Sequence, residues 1–274
     1  MSELAQKHRT RRVWWGPGGW GEGRVDGVAW ETGGVAVLAI DTSAAVAVSL
    51  SDDDGVPLAA RTVDSARHHA ELLAPMIRDV LAEAGLAPSD VTAVVVGTGP
   101  APFTGLRAGL VTARVFARAR GVPLYGVPSL DALAAAALAE DGAPEVVAVG
   151  DARRREVYAA RYRLASAAGQ GSVSGADGEA PAGGTGDVEL LAGPVVERPA
   201  ELGGFAAGAV VVGHGAHAYP EAFPDARDPL LPDPALLARL AISRARRGID
   251  QPAEPLYLRR PDAVPAAARK RVTG

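Results

Sequence analysis

The sequence predicts an α/β fold of two lobes, each a mixed β-sheet with helices packed on it. Three observations predict it. Residues 35–63 hold an apolar run, an alternating run and a hairpin return. Apolar strands then alternate with helix-period segments as far as residue 139, and the strand–turn–strand scheme restarts at residue 145. Strands interleaved with helices in this way give sheets covered by helices.

Residues 35–43 (VAVLAIDTS) run apolar and end polar, as a buried strand does, and 44–51 alternates like a half-buried one. Asp52-Asp53-Asp54-Gly55 is a hairpin turn, and 56–63 returns as a third strand. A helix follows, with Asp64 or Ser65 to cap it and Gly85 to end it in the left-handed conformation. Its His69, Leu72, Leu73, Met76, Ile77, Val80, Leu81 and Ala84 recur at helical spacing, an apolar arc broader than one sheet contact requires. Pro75 should bend this helix or displace its first turn. Residues 91–99 read as a buried strand and 105–120 as a second helix with Leu106, Leu110 and Ala113 on one face, capped by Thr104. A short strand at 123–127 and an alanine-rich helix at 129–139, capped by Ser129, complete the order βββαβαβα.

The second half is read as strands at 145–152, 156–164, 187–196 and 209–213, with an amphipathic helix at 234–247. Residues 165–187 are Gly, Ala and Ser with almost no bulky apolar side chain, the composition of a flexible insertion. The predicted organisation is a first lobe at 35–139, a second and degenerate lobe at 140–260, and a tail at 261–274. Residues 1–34 stand apart: they hold all four tryptophans, Trp14, Trp15, Trp20 and Trp30, many glycines and no hydrophobic period. They are expected to be a disordered or non-native extension.

Composition narrows the function. There is no cysteine, which excludes disulfides, thiolate metal sites and a cysteine nucleophile. A net charge of −4 argues against a nucleic-acid clamp acting alone. No apolar run reaches the roughly 18 residues that span a bilayer, and a cytosolic protein is expected. Gly97-Thr98-Gly99-Pro100-Ala101-Pro102 lacks the third glycine of a dinucleotide fingerprint and the Gly-Lys-Ser/Thr of a P-loop. His68 and His69 are adjacent and cannot chelate one ion from a helix; His214 and His217 have no evident third ligand. The Arg153-Arg154-Arg155 turn reads as solvated.

Asp41-Thr42-Ser43, His68-His69-Ala70-Glu71-Leu72-Leu73, Gly97-Thr98-Gly99-Pro100 and Phe103-Thr104-Gly105-Leu106-Arg107 occur in this order, followed by Gly126-Val127-Pro128-Ser129-Leu130. With Asp151-Ala152-Arg153-Arg154 and Pro255-Leu256-Tyr257-Leu258-Arg259, this set resembles the TsaB (YeaZ) family over residues 35–263. Ala101 departs from the glycine expected there. The resemblance implies an actin-like, Hsp70-like ATPase (ribonuclease H-like) fold. It also implies a non-catalytic dimerisation subunit for threonylcarbamoyl transfer to N6 of a tRNA adenosine. The implied partners are a TsaD-like catalytic paralogue and a TsaE-like P-loop ATPase, with tRNA reached only through the complex and no cofactor of its own.

Within that family the helices of the paralogues pack together, which assigns His69, Leu72, Leu73, Met76, Ile77, Val80, Leu106, Arg107 and Gly109 to the partner face, shared with the core. A lone chain is expected to be able to homodimerise through the same face. Asp41, Thr42 and Ser43 stand where a phosphate-binding hairpin would be, but without its glycines; they are a vestigial nucleotide contact or, the favoured reading, groups that satisfy turn amides. The catalytic relative's His-x-x-x-His metal pair is replaced by Ser129-Leu130-Asp131-Ala132-Leu133. The alternative expectation is a self-sufficient actin-fold ATPase or small-molecule kinase. A peptidase has no His-Glu-x-x-His to support it.

Overall fold

The computed structural model describes residues 10–14, 20–24, 36–64, 69–165 and 186–259. Met1–Gly33 is one compact unit and Gly34–Gly274 another. In the first, β1 (Thr10–Trp14) pairs antiparallel with β2 (Trp20–Arg24). No ordered element was expected there. Hairpin pairing needs only facing backbones and turn-forming residues in between, here Gly16-Pro17-Gly18-Gly19 in sequence, and no apolar period.

In the larger unit, β3 (Ala36–Asp41), β4 (Val46–Ser51) and β5 (Pro57–Val63) form an antiparallel meander. Then come α1 (His69–Glu83), β6 (Val91–Gly97), α2 (Phe103–Arg120) and β7 (Leu124–Val127). The sheet order is β5-β4-β3-β6-β7, with β3, β6 and β7 parallel. After α3 (Ser129–Asp141), the scheme repeats with β8 (Val146–Asp151), β9 (Val157–Leu164) and β10 (Val188–Glu197). The one-turn α4 (Gly203–Ala206), β11 (Val210–Val212), the one-turn α5 (His214–His217) and α6 (Pro234–Arg246) follow. The second sheet runs β10-β9-β8-β11, antiparallel except for β8 and β11. It is the first sheet without its last strand, so the fold is the two-lobed, mixed-sheet actin-like α/β architecture.

Both faces of the inner strands of the first sheet are buried, which is why β3 and β4 carry no exposed residue, while the edge strand β5 is mostly exposed. One face, with Leu38, Ile40, Val48, Leu50, Val94 and Val96, packs under Leu73, Val80, Leu106, Leu110 and Ala113 of α1 and α2. The alternate residues, Val37, Ala39, Ala93 and Val95, are equally buried and lie on the other face. There α6 covers β3, β4 and β6 and also packs on α3. A helix from the second half of the sequence thus completes the first lobe. Each fully buried Leu or Val is worth roughly 1.5–3 kcal/mol.

The caps differ from expectation. The residue before α2 is Pro102 and that before α3 is Pro128, neither with a side-chain cap bond. A ring-fixed φ orients the chain for entry into a helix, and Ser129 is left free for other work. Asp233 caps α6, its carboxylate accepting from the Ala235 amide. Pro75 lies within α1 without ending it. His68, the insertion over 166–185 and the tail over 261–274 lie outside the described residues.

The lobes are tied by a buried polar cluster. Arg244 on α6 donates from Nη2 to Asp131 on α3 at 2.8 Å and to Asp187 at 2.7 Å. Tyr162 donates to Asp131 at 3.0 Å, and Arg247 also reaches Asp187. Burial raises the Asp131 carboxyl by more than Arg244 lowers it. At Asp187 burial acts upward too, but Arg244 and Arg247 outweigh it and hold the group below the ordinary range. Removing the arginine would leave two desolvated carboxylates facing each other. Arg244→Ala is therefore expected to cost about 3–5 kcal/mol, read as a lowered urea midpoint; a loss under about 1 kcal/mol would mean that the cluster is solvated.

Candidate partner and ligand surfaces

At the end of β3, Asp41 is 1% exposed. Its Oδ2 accepts from Ser129 Oγ at 2.5 Å; its Oδ1 accepts from the Ser43 amide at 2.8 Å and from Ser43 Oγ at 2.6 Å. Ser129 Oγ in turn accepts from the Gly99 amide at 3.2 Å. Thr42 Oγ1 donates to the Gly105 carbonyl at 2.9 Å. The three residues where a phosphate hairpin would stand are therefore spent on the protein's own donors and acceptors. Gly97 and Gly109 are required for this: a Cβ on Gly97 would overlap Asp41 Oδ2, and one on Gly109 would overlap Thr42 Oγ1.

Between the lobes lies a cavity of about 40 Å³, lined by Ser43, Pro100, Pro102, Asp151, Arg153 and His214 among others. His214 and His217 sit three apart on α5, both exposed. Among the described residues, no three His, Asp or Glu side chains gather as metal ligands.

The structure divides the predicted partner residues. Leu73, Val80 and Leu106 are 0% exposed, and Met76 and Ile77 are 6% and 7%, so all five belong chiefly to the lobe's own core. Gly109 is buried against Thr42, and Leu72 is half-buried against the same core. For His69 only the backbone, at the first position of α1, is described. Arg107 is exposed, its guanidinium 4.5 Å over the Phe103 ring. The correction has a simple cause. Leu73 and Val80 of α1 are consumed by contact with the sheet and α2, while Ile77 packs on the same core and still reaches the groove described next.

What remains open is the groove on the outer side of the two helices. It is lined by Ala74, Ile77, Arg78, Leu81, Val111, Val115 and Phe116, and it is largely apolar. Val111 and Val115 are 56% and 63% exposed. Sequence reasoning missed them, although two valines four apart on the side of α2 away from Leu106, Leu110 and Ala113 were a readable signal. A second missed feature is the C-terminal run. Its Gln251 carbonyl accepts from the Gly126 amide and its Leu256 amide donates to the Thr98 carbonyl. Tyr257 then stacks on Phe103, ring centres 5.1 Å apart, and Arg259 reaches the Ala152 carbonyl at 3.0 Å in the second lobe.

Burial raises the Asp41 carboxyl, and the hydrogen bonds from Ser129 and Ser43 draw it back only in part. The native state therefore holds the proton more tightly than the unfolded chain does. The matching stability is complete below the unfolded-chain value and is lost as pH rises through the native one. Relative to Asp41→Asn, which cannot ionise, wild-type urea midpoints should fall as pH rises above the ordinary carboxylate range. Parallel curves for the two proteins would contradict this.

The family model described as TsaD, tRNA N6-adenosine threonylcarbamoyltransferase, matches residues 63–222. An uncharacterized protein of Mycobacterium tuberculosis is 41% identical over 235 residues, 84% of this chain and 95% of that one. The tRNA threonylcarbamoyladenosine biosynthesis protein TsaB of Escherichia coli is 38% identical over 128 residues, 46% of this chain and 54% of that protein. The solved structure of YeaZ from Pseudomonas aeruginosa superposes with a TM-score of 0.61 at 31% identity, covering 82% of this chain and 100% of that one. A catalytic-family domain, TsaB relatives and a YeaZ superposition over the whole of that structure agree on one assignment: the chain belongs to the TsaB/YeaZ family.

Proposed function

We propose that the chain takes part in making N6-threonylcarbamoyladenosine in tRNA, as a non-catalytic subunit that pairs with a TsaD-like catalytic relative. The observation that carries this reading is the open apolar groove between α1 and α2, with Val111 and Val115 exposed on its wall. An apolar face of this kind is a surface for association. Its occupant is a paralogue rather than a small molecule, because the groove is built from two long helices of a domain that the family model shares with TsaD. A TsaE-like P-loop ATPase is part of the same assembly.

Two further observations support a non-catalytic role. Asp41, Thr42 and Ser43 are bonded internally rather than presented to a phosphate. The start of α3, where the catalytic relative is expected to carry its metal histidines, has Ser129 bonded to Asp41 and Asp131 bonded to Arg244. The alternative, an actin-fold ATPase or small-molecule kinase, meets both obstacles. One solved structure is described as an uncharacterized protein with similarity to peptidase YEAZ from Pseudomonas aeruginosa. The hydroxyls of Ser43 and Ser129 do donate to a carboxylate, but it is the buried Asp41, which they serve to satisfy.

The test is co-purification with the TsaD-like protein of the same organism. Wild type is expected to form a stable pair. Val111→Asp combined with Val115→Asp should abolish it while leaving the lone chain's melting temperature nearly unchanged, since both side chains face solvent. Calorimetric titration of the lone chain with ATP should give no binding heat. Failure to pair under every nucleotide condition, together with ATP hydrolysis by the lone chain, would replace this reading with the alternative.

A further inference from the structure

We infer that the rim of the interlobe cleft is a direct contact for unpaired RNA, formed by the Arg153–Arg155 turn and the Phe103–Tyr257 aromatic pair. The inference rests on the proposed role in tRNA modification for the identity of the RNA, but not for its geometry.

The first observation is backbone strain. Arg153, Arg154 and Arg155 have φ values of 60°, 57° and 62°, three left-handed residues in succession without a glycine. Each costs an L-residue roughly 1–2 kcal/mol relative to the right-handed form. The turn is held by the β8–β9 ladder below it, by the Glu156 amide on the Arg153 carbonyl, and by the Arg153 amide donating to Asp151 at 2.7 Å. Glycine or asparagine would fit these angles with less strain. All three side chains are instead long, cationic and exposed. The β8–β9 hairpin itself calls for positive φ at this turn but not for arginine, and that choice of residue points to a use for the side chains.

The second observation is what lies beside the turn. Arg259 bonds the Ala152 carbonyl and pairs with Glu156, so it is seated at the base of the turn. Tyr257 is two residues away, at most about 7 Å along the chain. It is 41% exposed and stacks on Phe103, whose ring also carries the Arg107 guanidinium. Pro102 and Arg153 line the same cleft, which joins the two halves of the rim. Five arginines gather here against Asp151 and Glu156, in a chain whose net charge is −4. Guanidinium groups for phosphates, next to the exposed Tyr257 ring on which a base can stack, are the chemistry that single-stranded RNA loops recruit. An acidic peptide would use the arginines but not the ring. The proposal adds a direct tRNA contact to the expected one through other subunits, and a use for a turn that is solvated in the lone chain.

The experiment is fluorescence anisotropy of the full chain alone with a labelled tRNA transcript, across a salt series. The triple variant Arg153→Asn, Arg154→Asn, Arg155→Asn keeps a turn that tolerates positive φ. It should lose at least about tenfold in affinity and lower the salt slope by about 2, as expected for three phosphate contacts at ~0.7 each. Tyr257→Ala should lose about tenfold with the slope unchanged, the signature of lost stacking. Arg107 is left in place because it continues the helix face of Val111 and Val115. Absence of wild-type binding, or wild-type affinity retained by both variants, would overturn the proposal. Unchanged RNA binding with weakened pairing to the catalytic relative would assign the rim to a protein interface instead. Loss in the triple variant alone, with heparin competing as well as tRNA, would leave a general polyanion patch and overturn recognition of unpaired bases. Since the chain is used alone, these results are independent of whether the α1–α2 groove pairs with a partner.

Discussion

A carboxylate buried at 1% exposure is costly unless its oxygens are filled, and at Asp41 they are filled by three donors from two places in the chain. That requirement fixes the meeting point of four elements. β3 brings the carboxylate; β6 must end in a glycine to leave room for it; α3 must begin with a hydroxyl that can donate to it. One residue further on, Thr42 bonds the Gly105 carbonyl and presses against Gly109, which sets how closely α2 approaches the sheet. The same bonds bear on the proposed function: both oxygens of Asp41 already accept from Ser43 or Ser129, and burial raises the group's proton affinity.

Much of this architecture was legible from residues alone. Every strand of the two sheets was anticipated within a few residues, because the runs in β3, β6 and β8 are nearly continuous in Val, Ala, Leu and Ile, as doubly covered strands must be. Gly85 and Gly121 end their helices in the left-handed region, as glycines at that position do. The cap residues were misjudged because a serine or threonine at a helix start looks like a cap whatever it bonds. Ser129 is used on Asp41, 88 residues away, a partner that no local pattern displays. The path of α6 across the first sheet was equally invisible: an amphipathic stripe tells that a helix is covered, not by which lobe.

The same limit governs the candidate surfaces. An apolar arc on α1 signals burial but cannot say whether the cover is the chain's own sheet or another protein. The structure resolves it by difference. Leu73, Val80 and Leu106 are spent inside, while Val111 and Val115, which a count of core positions passes over, are left outside. The aromatic pair was illegible for another reason. Phe103 and Tyr257 stand 154 positions apart in sequence and meet only because the C-terminal run lies across Gly126, where any Cβ would strike the Pro252 carbonyl.

On the proposed readings α2 serves three neighbours, spaced along one rigid rod. Its inner face belongs to the core through Leu106, Leu110 and Ala113. Its first turn carries Phe103 and Arg107 at the cleft rim. Its middle presents Val111 and Val115 to the groove. From Arg107 to Val115 is eight residues, about 12 Å of helix at 1.5 Å each. A protein seated in the groove and an RNA loop at the rim therefore need not collide, yet both would bear on a helix whose position is set by Gly109 and Thr42. A close-packed contact of that kind does not yield gradually.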